Sequence, residues 1–97
     1  MSEEIKDKWS QENIQKEILT QVKAIGSLLI EKNRKYGNAA LQPNRIFSKA
    51  NTLEQLYVRC DDKINRIMNR QDDEDEDVIQ DLIGYLILIL VCRKLEE

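Results

Sequence analysis

The eleven residues LIGYLILILVC, from Leu82 to Cys92, carry no charged side chain. A run of this length is well short of the roughly 20 apolar residues that a transmembrane helix requires, so we interpret it as a buried helix. One helix that is apolar on nearly every side needs more cover than two neighbouring helices supply. The sequence therefore predicts a homo-oligomer, a dimer or tetramer, formed through this segment.

Gly84 interrupts the apolar run, and a glycine costs about 1 kcal/mol of helix propensity. A close helix crossing or the approach of a ligand would each explain why it is tolerated, and chance is the third explanation. The acidic run DDEDED, from Asp72 to Asp77, comes before this segment, and carboxylates favour the positive end of a helix. The pattern predicts a third helix over 73–95, with Arg93 and Lys94 in its last turn.

A first helix is predicted over 11–36, with Ser10 as its N-cap and Gly37 supplying the αL residue that ends it. Apolar residues recur along it at spacings of three and four, which is typical of a helix face that packs on a core. The predicted core stripe consists of Ile14, Ile18, Val22, Ile25 and Leu29.

A second helix is predicted over 52–70, with Thr52 and Gln55 forming a capping box at its start. Its apolar face is formed by Leu53, Leu56, Cys60, Ile64 and Ile67. The predicted fold is therefore all-α, a single domain of three main helices over 1–97, with an N-terminal tail over 1–10 and a loop over 37–51. Within that loop we expect Phe47 to pack on the core.

Composition excludes several classes of function. The net charge of −3 argues against general nucleic-acid binding, which normally requires a basic domain. The chain has no histidine, which removes histidine zinc sites and Ser-His or Cys-His catalysis. Cys60 and Cys92 lie within apolar patterns, and the charged N-terminus has no signal-peptide core. We expect a cytoplasmic protein that binds neither membranes nor nucleic acids.

A polar stripe on the second helix borders its apolar face instead of lying opposite to it. Its members are Arg59, Asp62, Lys63 and Arg66. Two interpretations remain open, namely exposed ion pairs one helical turn apart, or cations that contact phosphate.

Asp77 and Asp81 share a face of the third helix with Gly84 and Tyr85. A carboxylate at the start of an apolar stretch requires a cation, a metal or a hydrogen-bond donor. Lys63 or Arg66 could pair with Asp81, or both aspartates could hold Mg²⁺ for a nucleotide phosphate. The sequence does not separate these alternatives.

The stretch EKNRKYGN, which begins at Glu31, ends the first helix. Lys32 and Tyr36 fall in the same angular sector as the core stripe, so they are predicted to point inward. Beside Gly37 and Asn38, such a pair could wrap a phosphate and stack a base. The alternative is a lysine that reaches from the core to solvent and a packed tyrosine.

Together, the segments KYGN, RCDDKINRI and DVIQDLIGYLILI resemble the phage nucleotide modification associated domain family, which is similar to the MazG-like all-α nucleoside triphosphate pyrophosphatases. The resemblance covers about residues 14 to 91. It implies a ligand-facing set of Tyr36, Gly37, Asn38, Arg59, Asp62, Lys63, Arg66, Asp77 and Asp81.

The chain departs from the MazG-like pattern at the metal ligands. MazG-like enzymes hold Mg²⁺ with an E-x-x-E pair and a later E-x-x-D pair, whereas the first helix here has no E-x-x-E. The later pair is Asp77 and Asp81, at most half of such a cage, and hydrolysis with two metals requires several converging carboxylates. The site that remains is cationic, and its predicted phosphate ligands are Lys35, Arg59, Lys63 and Arg66.

The leading prediction is a phage-encoded helical oligomer that sequesters a nucleotide without hydrolysis and requires no cofactor. The nucleotide could be a cyclic defence signal of the bacterial host. A Mg²⁺-dependent pyrophosphohydrolase, or an accessory protein in phage nucleotide modification, is the alternative prediction. A structural interaction module is the third.

Overall fold

The computed structural model describes residues 7–38, 41, 50–70 and 77–97. The predicted all-α class is confirmed, because the regular elements of this part of the chain are three helices. They are α1 (Gln11–Tyr36), α2 (Thr52–Met68) and α3 (Val78–Leu95). The predicted packing of Phe47 and the predicted helical residues 73–76 lie outside the described residues.

Both ends of α1 use the residues that the sequence indicated. The Ser10 hydroxyl accepts a hydrogen bond from the backbone N–H of Asn13 at 3.2 Å, which confirms the N-cap. Gly37 ends the helix at φ 66° and ψ −152°. The positive φ was predicted, but this ψ lies outside the αL region, in a part of φ/ψ space that is essentially restricted to glycine.

The cap of α2 differs from the prediction. Asn51, rather than Thr52, is the N-cap, and its side-chain oxygen accepts from the backbone N–H of Glu54 at 2.8 Å. The Thr52 hydroxyl instead donates to the carbonyl oxygen of Leu41 at 2.8 Å. This bond ties the start of α2 to the segment that follows α1.

The core lies between α2 and α3, which run antiparallel. Its buried members are Leu56, Cys60, Ile89 and Cys92. Both cysteines are free thiols, and burial raises the pKa of each. The charge of Asp61 raises the pKa of Cys60 further. A side-chain hydrogen bond with Glu96 and the charge of Glu96 raise the pKa of Cys92 further. Of the other α3 residues, Ile89 belongs to this core within its own chain, whereas Leu86 is exposed.

α1 packs loosely, and Ile25 is the buried residue among its 26. The predicted core stripe is wrong over its N-terminal half, where Ile14, Ile18 and Val22 are 42%, 55% and 59% exposed. None of the described helices is both long enough and apolar enough to span a membrane.

Within a single chain α3 is covered on only part of its surface. Val78, Gly84, Ile89 and Cys92 are its buried residues. Its large exposed apolar side chains are Ile79, Ile83, Leu86, Leu90, Val91 and Leu95.

Candidate functional site

A cavity of about 250 Å³ lies between the C-terminal half of α1 and the first turns of α3. Its apolar part is formed by Ile25, Leu28, Leu29, Leu41, Gly84 and Leu88. Its polar part is formed by Lys32, Asn33, Tyr36, Gly37, Asn38, Gln80, Asp81 and Tyr85. The cavity thus combines an apolar surface with a few hydrogen-bonding groups, which is typical of small-molecule sites.

The α1 wall is organised by the amide of Asn33. This amide donates to the side-chain oxygen of Asn38 at 2.8 Å and to the carbonyl oxygen of Gly37 at 3.3 Å. It therefore stabilises the turn at Gly37 that ends α1. Lys32 and Tyr36, one helical turn apart, both line the cavity, and Tyr36 remains 65% exposed. A ligand would find the Tyr36 ring accessible.

The Lys35 ammonium lies 5.4 Å from the centroid of the Tyr36 ring. At this distance a cation interacts favourably with an aromatic face. Lys35 does not line the cavity itself. It is placed where it could meet the charged end of a ligand that contacts Tyr36.

The α3 wall comes close to α1 at Gly84. A Cβ atom on this residue would lie 3.3 Å from the Cδ2 atom of Leu29, which is tighter than ordinary van der Waals contact. Of the three explanations for this glycine, the structure shows the close helix crossing. Gly84 also lines the cavity, so a larger side chain would enter the space available to a ligand.

We expect Gly84→Ala to change stability little, because the gain of about 1 kcal/mol in helix propensity offsets a contact that the flexible Leu29 side chain can relieve. Gly84→Leu should cost about 1 to 3 kcal/mol, because it overpacks the crossing. Thermal melts of the two variants measure the difference. Equal melting temperatures would mean that α1 does not pack on α3 at this point.

The carboxylate of Asp81, at the edge of the cavity, is paired with a lysine from α2. The Lys63 ammonium lies 3.4 Å from Oδ2 of Asp81, and the two side chains are 11% and 26% exposed. Of the alternatives open for Asp81, the structure shows the ion pair. One turn away, the Arg59 guanidinium lies 5.9 Å from the centroid of the Tyr85 ring. Lys63 and Arg59 therefore contact two α3 side chains that line the cavity, but they do not line it themselves.

The other predicted site residues do not line the cavity. Arg66 pairs with Asp62 at 3.7 Å, one turn apart on α2, with side chains 36% and 62% exposed. Asp77 is the N-cap of α3 and accepts from the backbone N–H of Gln80 at 3.0 Å. Within the described ranges, no group of three or more His, Cys, Asp or Glu side chains is placed to hold a metal. The Mg²⁺ site at Asp77 and Asp81 stays a prediction.

Of the predicted site residues, the structure thus brings together Tyr36, Gly37, Asn38 and Asp81 at one cavity. Lys63 and Arg59 do not line it, but they contact Asp81 and Tyr85, which do. Sequence analysis did not assign Asn33 or Gln80 to the site. Helical spacing could have indicated both, because Asn33 lies one turn before Gly37 and Gln80 one turn before Gly84. Glu31 pairs with Arg34 on the exposed face of α1.

No protein-family model matches this chain, and comparisons with curated proteins and with solved structures find no significant similarity.

Proposed function

We propose that this chain binds a nucleotide in the cavity between α1 and α3 and holds it without hydrolysis. The observation that carries the proposal is the lining, which combines the rings of Tyr36 and Tyr85 and the side-chain amides of Asn33 and Asn38 with six apolar residues. Aromatic rings stack on bases, and amides match the donors and acceptors at a base edge. The resemblance proposed from the sequence, to the phage nucleotide modification associated domain family, would imply the same ligand class.

The size and charge of the cavity suggest how a nucleotide would lie. About 250 Å³ is at the lower end for ligand sites, so a base and its sugar would fill the cavity and the phosphates would remain at its rim. Lys32 is the cation that lines the cavity, and Lys35 lies against the Tyr36 ring. These two lysines are the proposed phosphate ligands.

Binding without hydrolysis is proposed because of the state of Asp81. It is the carboxylate that lines the cavity in the described part of the chain, and its charge is already met by Lys63. Hydrolysis with two metals needs several free carboxylates that converge on the phosphates. A phage protein with this chemistry would act as a sponge for a nucleotide signal of host defence.

We expect Tyr36→Ala and Lys32→Ala each to lower nucleotide affinity tenfold to a hundredfold. Loss of base stacking costs about 1 to 3 kcal/mol, and loss of a charge-assisted hydrogen bond costs about 1.5 to 3 kcal/mol. The matched controls are Tyr57→Ala and Lys23→Ala, since neither residue lines the cavity. Calorimetric titration with a panel of mononucleotides, dinucleotides and cyclic nucleotides measures the affinities.

Product analysis with Mg²⁺ present completes the test. Intact nucleotide recovered after denaturation of the protein supports sequestration, whereas released pyrophosphate would assign the hydrolase instead. If no nucleotide in the panel binds at millimolar concentration, the proposal fails and a structural interaction module is favoured.

A further inference from the structure

A second, larger concavity lies between the N-terminal half of α1 and the outer side of α3. This groove has a volume of about 930 Å³ and is open to solvent along its length. Its apolar lining is Trp9, Ile14, Ile18, Val22 and Ile25 from the α1 side, and Ile83 and Ile87 from α3. Trp9 is 70% exposed, and Ile14, Ile18 and Val22 are exposed at successive turns. Nothing in the part of the chain that the structure describes covers this surface.

We propose that the groove is the interface between two copies of this chain, with the α1 stripe of each copy lying in the groove of the other. The residues Ile14, Ile18 and Val22 repeat every four positions, which is the pattern of a helix that docks into an apolar groove. The same surface thus presents both a ridge and a groove. Such a surface can pair with itself about a two-fold axis and close without leaving either part exposed.

The exposed apolar side chains of the described residues offer surface for such a partner. Ile14, Ile18, Val22 and Ile83 are 42%, 55%, 59% and 37% exposed. A contiguous exposed apolar patch of this kind is typical of an interaction surface.

The charges at the groove favour a second copy over a charged partner of another kind. Lys8, Lys16 and Glu17 line it, so the rim carries charges of both signs. A strongly basic partner would place like charge against the two lysines, and a strongly acidic partner would place like charge against Glu17, whereas a second copy brings both signs. Helix stability supports the same occupant, because a helix is stabilised mainly by packing of its apolar face and α1 buries one residue in its own chain.

This interface overlaps only in part with the one that the sequence predicted. The sequence placed the contact on Leu82 to Cys92, but Ile89 and Cys92 belong to the core of a single chain. The proposed interface combines the N-terminal half of α1 with Ile83 and Ile87 of α3. It does not depend on nucleotide binding.

The test is the oligomeric state of the full chain, measured by light scattering and sedimentation at micromolar concentration. Wild type should be a dimer, and Ile18→Glu should raise the dimer dissociation constant at least a hundredfold, because it places a carboxylate in the centre of the groove. Ile30→Glu is the matched control, since Ile30 is on the same helix, is 70% exposed and does not line the groove. It should remain a dimer.

A second measurement uses wild type alone, so that unfolding of a variant cannot decide the result. Amide exchange of residues 14–22 should be slow at high protein concentration and should accelerate on dilution below the dissociation constant. A wild-type monomer, exchange independent of concentration, or an Ile18→Glu variant that dimerises as tightly as wild type would each overturn the proposal. So would a monomer that instead binds vesicles of phosphatidylcholine and phosphatidylglycerol, because the occupant would then be lipid.

Discussion

Leu56→Ala should lower the free energy of unfolding by about 3 to 4 kcal/mol, because it leaves a cavity in the centre of the α2–α3 core. Leu56 is 1% exposed and is the largest fully buried side chain of the described residues. A protein of this length has a total stability of about 5 to 15 kcal/mol. The substitution should therefore remove a large part of it.

The measurement is a thermal or denaturant melt at one fixed protein concentration, since dimerisation makes stability depend on concentration. At this chain length 1 kcal/mol corresponds to about 4 to 8 °C in melting temperature. Leu95→Ala is the matched control, because Leu95 is at the end of α3 and is 75% exposed. Equal losses for the two variants would contradict the packing of α2 on α3.

Lys63→Ala should lower the free energy of unfolding by about 2 to 3 kcal/mol, because it leaves the Asp81 carboxylate without its cation. Removing one partner of a fully buried ion pair usually costs about 3 to 5 kcal/mol. The expected loss is at or below the lower end of that range because the Asp81 side chain is still 26% exposed. The double variant Lys63→Met and Asp81→Leu should recover most of this loss. Replacing a buried ion pair by apolar side chains is often neutral or stabilising, whereas removal of one partner is not.

Lys94→Ala serves as the control for the Lys63 variant. Lys94 pairs with Glu97 at 3.1 Å, but the two side chains are 80% and 71% exposed, so its loss should change the melting temperature little. Nucleotide affinity is measured on the same proteins. If Lys63→Ala left the melting temperature unchanged and reduced affinity as much as Lys32→Ala, then Lys63 would be a phosphate ligand and the ion-pair assignment would be wrong.

The candidate site was predictable from the sequence where its residues are neighbours along one helix. Lys32 and Tyr36 share a face because they are one turn apart, and Gly37 ends α1 because its backbone conformation suits glycine. Contacts between helices were not predictable in the same way. The sequence left Lys63, Arg66 and Mg²⁺ open as partners for Asp81, and the register of α2 against α3 brings Lys63 to it.

The sequence by itself determined the three helices, since caps, apolar spacing and the glycine stop act within a few residues along the chain. Only the tertiary structure decided which apolar faces are covered. The stripe from Ile14 to Val22 has the spacing of a core face, but α3 meets α1 closely at Gly84 and leaves that stripe exposed. The physical reason is that spacing shows that a face must be buried, but the partner that buries it depends on where other helices, or another chain, come to lie.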